Sequence, residues 1–133
     1  MNTRLIVLWI LLLIGMILHF NYHVSEIFYG IDVVRPGANG KMPISTLTIK
    51  TIYYHLPILY ILALLYFNGK VFRGIAFGVG LIYTVSHGMH LFKEITHTPL
   101  ETPEITQINL LVIVLLVSLL MNFESWKWFR SEN

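Results

Sequence analysis

The stretch INLLVIVLLVSLLM, residues 108–121, carries no charged side chain. LIVLWILLLIGMI, residues 5–17, is just as apolar. Crossing the ~30 Å hydrocarbon core of a bilayer takes about 20 such residues as a helix. Apolar runs of that length recur four times along the chain. Charged residues make up only 12% of the sequence, against about a quarter in soluble domains. The 133 residues therefore form a single transmembrane domain, 1–133, of a polytopic membrane protein.

Four helices are expected, over about 4–29, 45–67, 71–95 and 103–128. The first resembles a signal peptide, with one Arg before an apolar run. No small-residue cleavage site follows, so it reads as a retained helix. GIDVVRPGANGKMP is rich in turn residues and separates helices 1 and 2. Pro57 lies inside helix 2 and should kink it. Asn68 and Gly69 end it in a tight connection. THTPLETPE is the next loop, with Pro103 suited to the first turn of helix 4. These short loops predict an all-α, up-down-up-down four-helix bundle. The core of helix 4 reads as the plainest lipid-facing run. Arg4, Lys70, Arg73, Lys127 and Arg130 fall on one side, against Arg35, Lys41, Lys50 and Lys93 on the other. The tight basic turn and basic tail favour both termini on the cytoplasmic side. Trp126, Trp128 and Tyr29 suit interfacial belts.

Several function classes drop out. A net charge of +2, with no basic stripe and no Gly-rich phosphate loop, gives no ground for nucleic acid. With no cysteine, thiolate metal sites, cysteine nucleophiles and haem attached through CxxCH are excluded. No GxSxG elbow is present.

The histidines stand out against this background. All six fall toward one end of the expected bundle, the outer side in the favoured orientation. Helix 1 ends with His19, His23 and Glu26. Helix 3 ends with His87, His90 and Glu94, followed by His97 in the loop. His55 lies about ten residues into helix 2. Counting ~1.5 Å per residue places His19, His55 and His87 roughly 6–12 Å below the outer boundary. At about 100° per residue, HxxxHxxE and HxxHxxxE each gather on one helix face. The helix 3 face continues through Thr84, Tyr83 and Gly80. On helix 2, Thr48, Thr51 and His55 share a face.

Neutral imidazole binds Zn, Cu, Fe and Ni, and helix bundles build metal sites from inward His and Glu. Ionisable groups are costly within a membrane and tend to face the bundle interior with a partner. The pattern therefore predicts a transition-metal site, Fe, Cu or Zn, held by His19, His23, His55, His87 and His90. Glu26 and Glu94 are the candidate catalytic bases. A b-type haem between two axial histidines is the alternative cofactor. It would leave the remaining His and both Glu unused. The HxxxH and HxxHH boxes of membrane fatty-acid hydroxylases and desaturases invite comparison. His19 and His23 fit the first spacing, but Leu91 stands where the second needs His, and the third box is missing. The chain is not assigned to that family.

The resulting expectation is a metal-dependent oxidoreductase acting on a lipidic or small apolar substrate. The alternatives are a non-catalytic small subunit of a respiratory or monooxygenase-type membrane complex, or a proton-handling module. Gln107 and Asn109 are candidates to support the site from helix 4. Ser118 and Asn122 are expected to form interhelical hydrogen bonds. Arg73 is expected to snorkel toward the inner side and Lys50 toward the outer. Asp32 and Arg35 could meet a polar headgroup. Tyr53, Tyr54 and Tyr60 read as belt and packing residues.

Overall fold

The computed structural model describes residues 3–34, 37–97 and 102–131. It is an all-α bundle of four long helices, each long and apolar enough to cross a membrane. The chain is therefore an integral, multi-pass membrane protein. Helix α1 spans Thr3–Ser25 and tightens into a 3-10 turn over Glu26–Tyr29. Helix α2 covers Ile44–Tyr66, α3 is Lys70–His97 and α4 is Thr102–Arg130. The α3 helix thus runs on through His97, which the sequence placed in the loop. Arg35 lies outside the described residues.

Each packed face follows a repeat of three and four residues. On α1 it is Leu5, Trp9, Leu12, Met16 and His19. On α3 it is Arg73, Ala76, Gly80, Tyr83 and His87. On α4 it is Gln107, Leu111, Val114, Ser118, Met121 and Ser125. That spacing is the knobs-into-holes repeat of antiparallel bundles. Helix α4 packs along both α1 and α3, and α2 lies against α1. This corrects the reading of helix 4 as the plainest lipid-facing run, because one face of α4 is buried against both α1 and α3. Its inner and outer surfaces are almost equally apolar, so hydrophobicity alone does not mark the buried side.

Side chains close the gap between α2 and α3. The central residue is Pro57. With no N–H to donate and a ring that crowds the preceding turn, it cannot continue a regular ladder. The chain responds with a π-helical turn over Thr51–His55, in which the Leu56 N–H reaches back to the Thr51 carbonyl. In that register the Ile52 carbonyl would need an N–H at position 57, where proline has none. The Tyr83 hydroxyl of α3 donates to it instead. The Tyr53 hydroxyl is hydrogen-bonded to Ser86, also on α3. The kink expected at Pro57 is therefore a widened turn whose orphaned carbonyl anchors α2 to α3.

Two more polar links join α3 to α4. Asn122 Nδ2 donates to Thr84 Oγ1 at 2.6 Å, and Thr84 donates to the Ser118 carbonyl at 3.1 Å. The Ser118 hydroxyl itself turns back to the Leu115 carbonyl on its own helix, 2.8 Å away. Asn122 therefore makes the expected interhelical bond, whereas Ser118 contributes only its backbone. Gly80 lets α4 approach, since a Cβ there would stand 2.5 Å from Asn122 Oδ1. Arg73 is buried at the end of the bundle that carries both termini, and does not reach solvent as a snorkelling side chain would. Its guanidinium donates to the carbonyls of Asn68 and Ser131, at 3.0 Å each, and to that of Trp128 at 3.4 Å. It thereby supplies a donor to the Ser131 carbonyl just past the end of α4, while the Trp128 carbonyl also accepts from Ser131.

Candidate functional site

The site is built from the ends of α1 and α3 that lie away from the termini. On α1, His19 and His23 are one turn apart and their rings touch edge to face, with centroids 4.7 Å apart. His19 also meets His90 of α3 edge to face at 4.9 Å. His90 Nε2 stands 3.4 Å from Glu94 Oε1, one turn further along α3. His87 lies behind this group against the rings of Tyr53 and Tyr83, at 5.6 and 6.2 Å. Four of the five proposed histidine ligands thus gather between α1 and α3, with Glu94 beside them. Of His97, only its place at the end of α3 is described.

The fifth, His55, does not join them. It is exposed on α2, and among the described residues it has no ring, hydrogen-bond or ion-pair contact with the cluster. Thr48, Thr51 and His55 do share a face, but that face points away from the bundle. The inward side of α2 is taken by Tyr53, Tyr54, Pro57, Tyr60 and Leu64. Those rings fill the space beside α1 and α3, with Tyr60 packed on Trp9 at 4.7 Å. Burying large rings against neighbours outweighs turning one imidazole inward.

Glu26 is engaged from α4. Gln107 Nε2 donates to its Oε1 at 2.6 Å, and Gln107 is buried. Asn109, paired with Gln107 in the sequence reading, is exposed and takes no part. The two carboxylates therefore occupy different settings. Glu26 is held by an amide, and Glu94 by an imidazole.

The most informative feature is what the imidazoles lack. His87 is 1% exposed and both its ring nitrogens are buried without a hydrogen-bond partner. His19 is buried and its Nδ1 is in the same state. A buried polar atom left without a partner costs about 1–3 kcal/mol. The three atoms belong to two buried imidazoles, each of which has one lone pair to offer when neutral. As the side chains stand, no three His, Asp or Glu groups among the described residues surround a single point in metal-binding geometry. A shallow apolar crevice of about 410 Å³ runs along the membrane-facing side of α3, lined by Leu81, Ile82, Val85, Ser86 and Met89. The Tyr53–Ser86 hydrogen bond ties this crevice to the ring that packs on His87.

Sequence reasoning singled out the histidines by depth and spacing. It read Tyr53 only as a packing residue, and it passed over Trp9 and Ser125, both fully buried polar-headed residues. Their signal was available, since each falls on the three-and-four repeat of its helix. The chain matches no family model, no curated protein and no solved structure.

Proposed function

We propose that this membrane protein binds a transition-metal ion among His19, His23, His87 and His90, and that this site is the seat of its activity. The observation that carries the reading is the enclosed set of unpartnered nitrogens on His19 and His87. An ion would give those lone pairs the partner that hydrocarbon denies them. Imidazole and carboxylate donors without thiolate suit Zn, Cu(II) or non-haem Fe. Gathering three donors around one ion requires the ring of His23 or His90 to turn. Both are only partly buried, and among the described residues neither makes a hydrogen bond to backbone. A haem would need a slot between axial histidines, yet His19 and His90 stand in direct contact. We therefore favour a bare ion over haem b.

A redox-active ion there would serve an oxidoreductase acting on a lipidic or small apolar substrate. The depression beside Ser86 is apolar, as a lipidic substrate would require, although none of the imidazoles lines it. Glu94, next to His90, is the better placed general base. Glu26, held by Gln107, is the better placed second-sphere anchor.

The test is elemental mass spectrometry of the purified, untagged protein, kept from chelators, beside a His19→Ala/His87→Ala variant. One or two equivalents of Fe, Cu or Zn, lost in the variant, is the expected result. A metal-free wild-type protein would overturn the reading. The hydroxyl and amide groups that continue past His87, at Tyr83, Thr84 and Asn122, favour proton handling as the second reading. Proton flux into metal-free proteoliposomes would then be the measurement to make.

A further inference from the structure

We propose that the outward face of α2, centred on His55, is the interface between two copies of this chain. His55 lies 11 residues from Ile44 and 11 from Tyr66, the two ends of α2. At ~1.5 Å per residue it is roughly 16 Å from either end, close to the middle of a ~30 Å hydrocarbon core. This is deeper than the sequence count implied. Lys and Arg escape such depth by snorkelling along a long aliphatic stem, but imidazole has only one methylene and cannot. Intramembrane ionisable residues almost always face protein or a water-filled cavity. Among the described residues of one copy, His55 is exposed and faces neither.

The occupant must present a polar group within about one helical turn of that depth on its own exposed face. Lipid chains have none, whereas a second copy in the same orientation meets the requirement by construction. Neutral imidazole has one donor and one acceptor. Thr51, one turn before His55, donates its hydroxyl to the Leu47 carbonyl at 3.1 Å, which leaves oxygen lone pairs free to accept. Across a two-fold axis along the membrane normal, His55 of each copy can donate to Thr51 of the other. Both bonds then form at once, as an isologous interface requires. The flanking residues suit helix packing, for Ile52, Leu59 and Leu62 are exposed on the same side. A single polar group within an apolar seam is also a known device for fixing register and copy number. Finally, α2 has the surface to spare. Only 11% of its apolar 18-residue stretch is buried within one copy, against 39%, 28% and 33% for those of the other three.

The inference is independent of the metal reading, because His55 stands apart from the imidazole cluster. The test is single-molecule photobleaching of the full-length chain in phosphatidylcholine vesicles, with chelator present, over a series of protein-to-lipid ratios. Wild type should pass from one-step to two-step bleaching as the ratio rises. His55→Leu should shift that transition to a roughly tenfold higher ratio, the scale of one or two intramembrane hydrogen bonds. The chain has no cysteine, which gives a clean background for cross-linking. Leu59→Cys should form an intermolecular disulfide on mild oxidation, and Ile82→Cys, exposed on α3, should not. One-step bleaching of wild type at every ratio would overturn the proposal. So would a dimer that links through Ile82→Cys and not through Leu59→Cys.

Discussion

The Tyr83 hydroxyl offers the sharpest test of how α2 is held. It donates to the Ile52 carbonyl, which the π turn and Pro57 leave without a backbone partner. Intramembrane hydrogen bonds average about 0.6 kcal/mol and reach about 1.7, because a freed group usually finds another partner. The Ile52 carbonyl has no such second choice. The Leu56 N–H is committed to Thr51, and residue 57 has no N–H. Tyr83→Phe should therefore cost about 1.5–2 kcal/mol, near the penalty for a lone buried carbonyl. Tyr60→Phe is the matched control, since the Tyr60 hydroxyl is buried without a partner. Its loss should cost at most ~0.5 kcal/mol, because no hydrogen bond is broken. The decisive step is to repeat Tyr83→Phe in a Pro57→Ala background. Alanine restores an N–H one turn beyond Ile52, so the cost there should fall by about 1 kcal/mol, a coupling readable in a double-mutant cycle. Unfolding in mixed micelles of rising dodecyl sulfate content, followed by tryptophan fluorescence, would supply the four stabilities. If Tyr83→Phe costs no more than Tyr60→Phe, or costs the same in both backgrounds, the anchoring argument fails.

The same assay reaches two other parts of the bundle. Gly80→Ala should lose about 1–3 kcal/mol as its Cβ meets Asn122 Oδ1 at 2.5 Å, whereas Gly78→Ala, with nothing within 4 Å, should be neutral or slightly stabilising. Arg73→Met should lose about 2–3 kcal/mol by stripping charge-assisted donors from the carbonyls of Asn68 and Ser131, and Arg73→Lys should restore only part of it, because one ammonium cannot span the fork. A hydrogen-exchange experiment on Arg73→Met should show the loss concentrated in the last turn of α4, and uniform exchange along α4 would contradict the capping role.

The four spans were readable because length and apolar content alone decide whether a helix can cross hydrocarbon. The inward faces were harder, since both sides of a membrane helix are apolar and the usual contrast disappears. There, sparse polar residues mark the interior instead. On α3 that rule worked, as Gly80, Tyr83, Thr84 and His87 do face the bundle. On α4 the same signal was present in Gln107, Ser118 and Ser125, but the run between them looked uniform and was assigned to lipid. On α2 the rule pointed the wrong way. Thr48, Thr51 and His55 were grouped correctly, yet the rings of Tyr53, Tyr54 and Tyr60 claimed the inner side. Pro57 was visible as a disturbance. That it would yield a π turn with a carbonyl for Tyr83 depended on a partner helix distant in sequence.

His55 and His87 share one deficit and differ in what can remedy it. Each is an imidazole deep in a membrane helix with no hydrogen-bond partner among the described residues. His87 is sealed by Tyr53, Tyr83 and the bundle around it, so only something as small as an ion or a water can reach its nitrogens. His55 lies open on the outer face of α2, where a macromolecule can cover it and where a lone ion would find too few donors to hold it. Exposure thus divides the histidines into an internal binding set and an external docking residue, although sequence places them together. The division is tested by the crossed variants. His55→Leu should leave metal content unchanged while weakening self-association, and His87→Ala should lower metal content while leaving the bleaching steps unchanged. If either substitution moved both quantities alike, the two groups would be parts of one site shared between copies, and the separation drawn from their burial would be wrong.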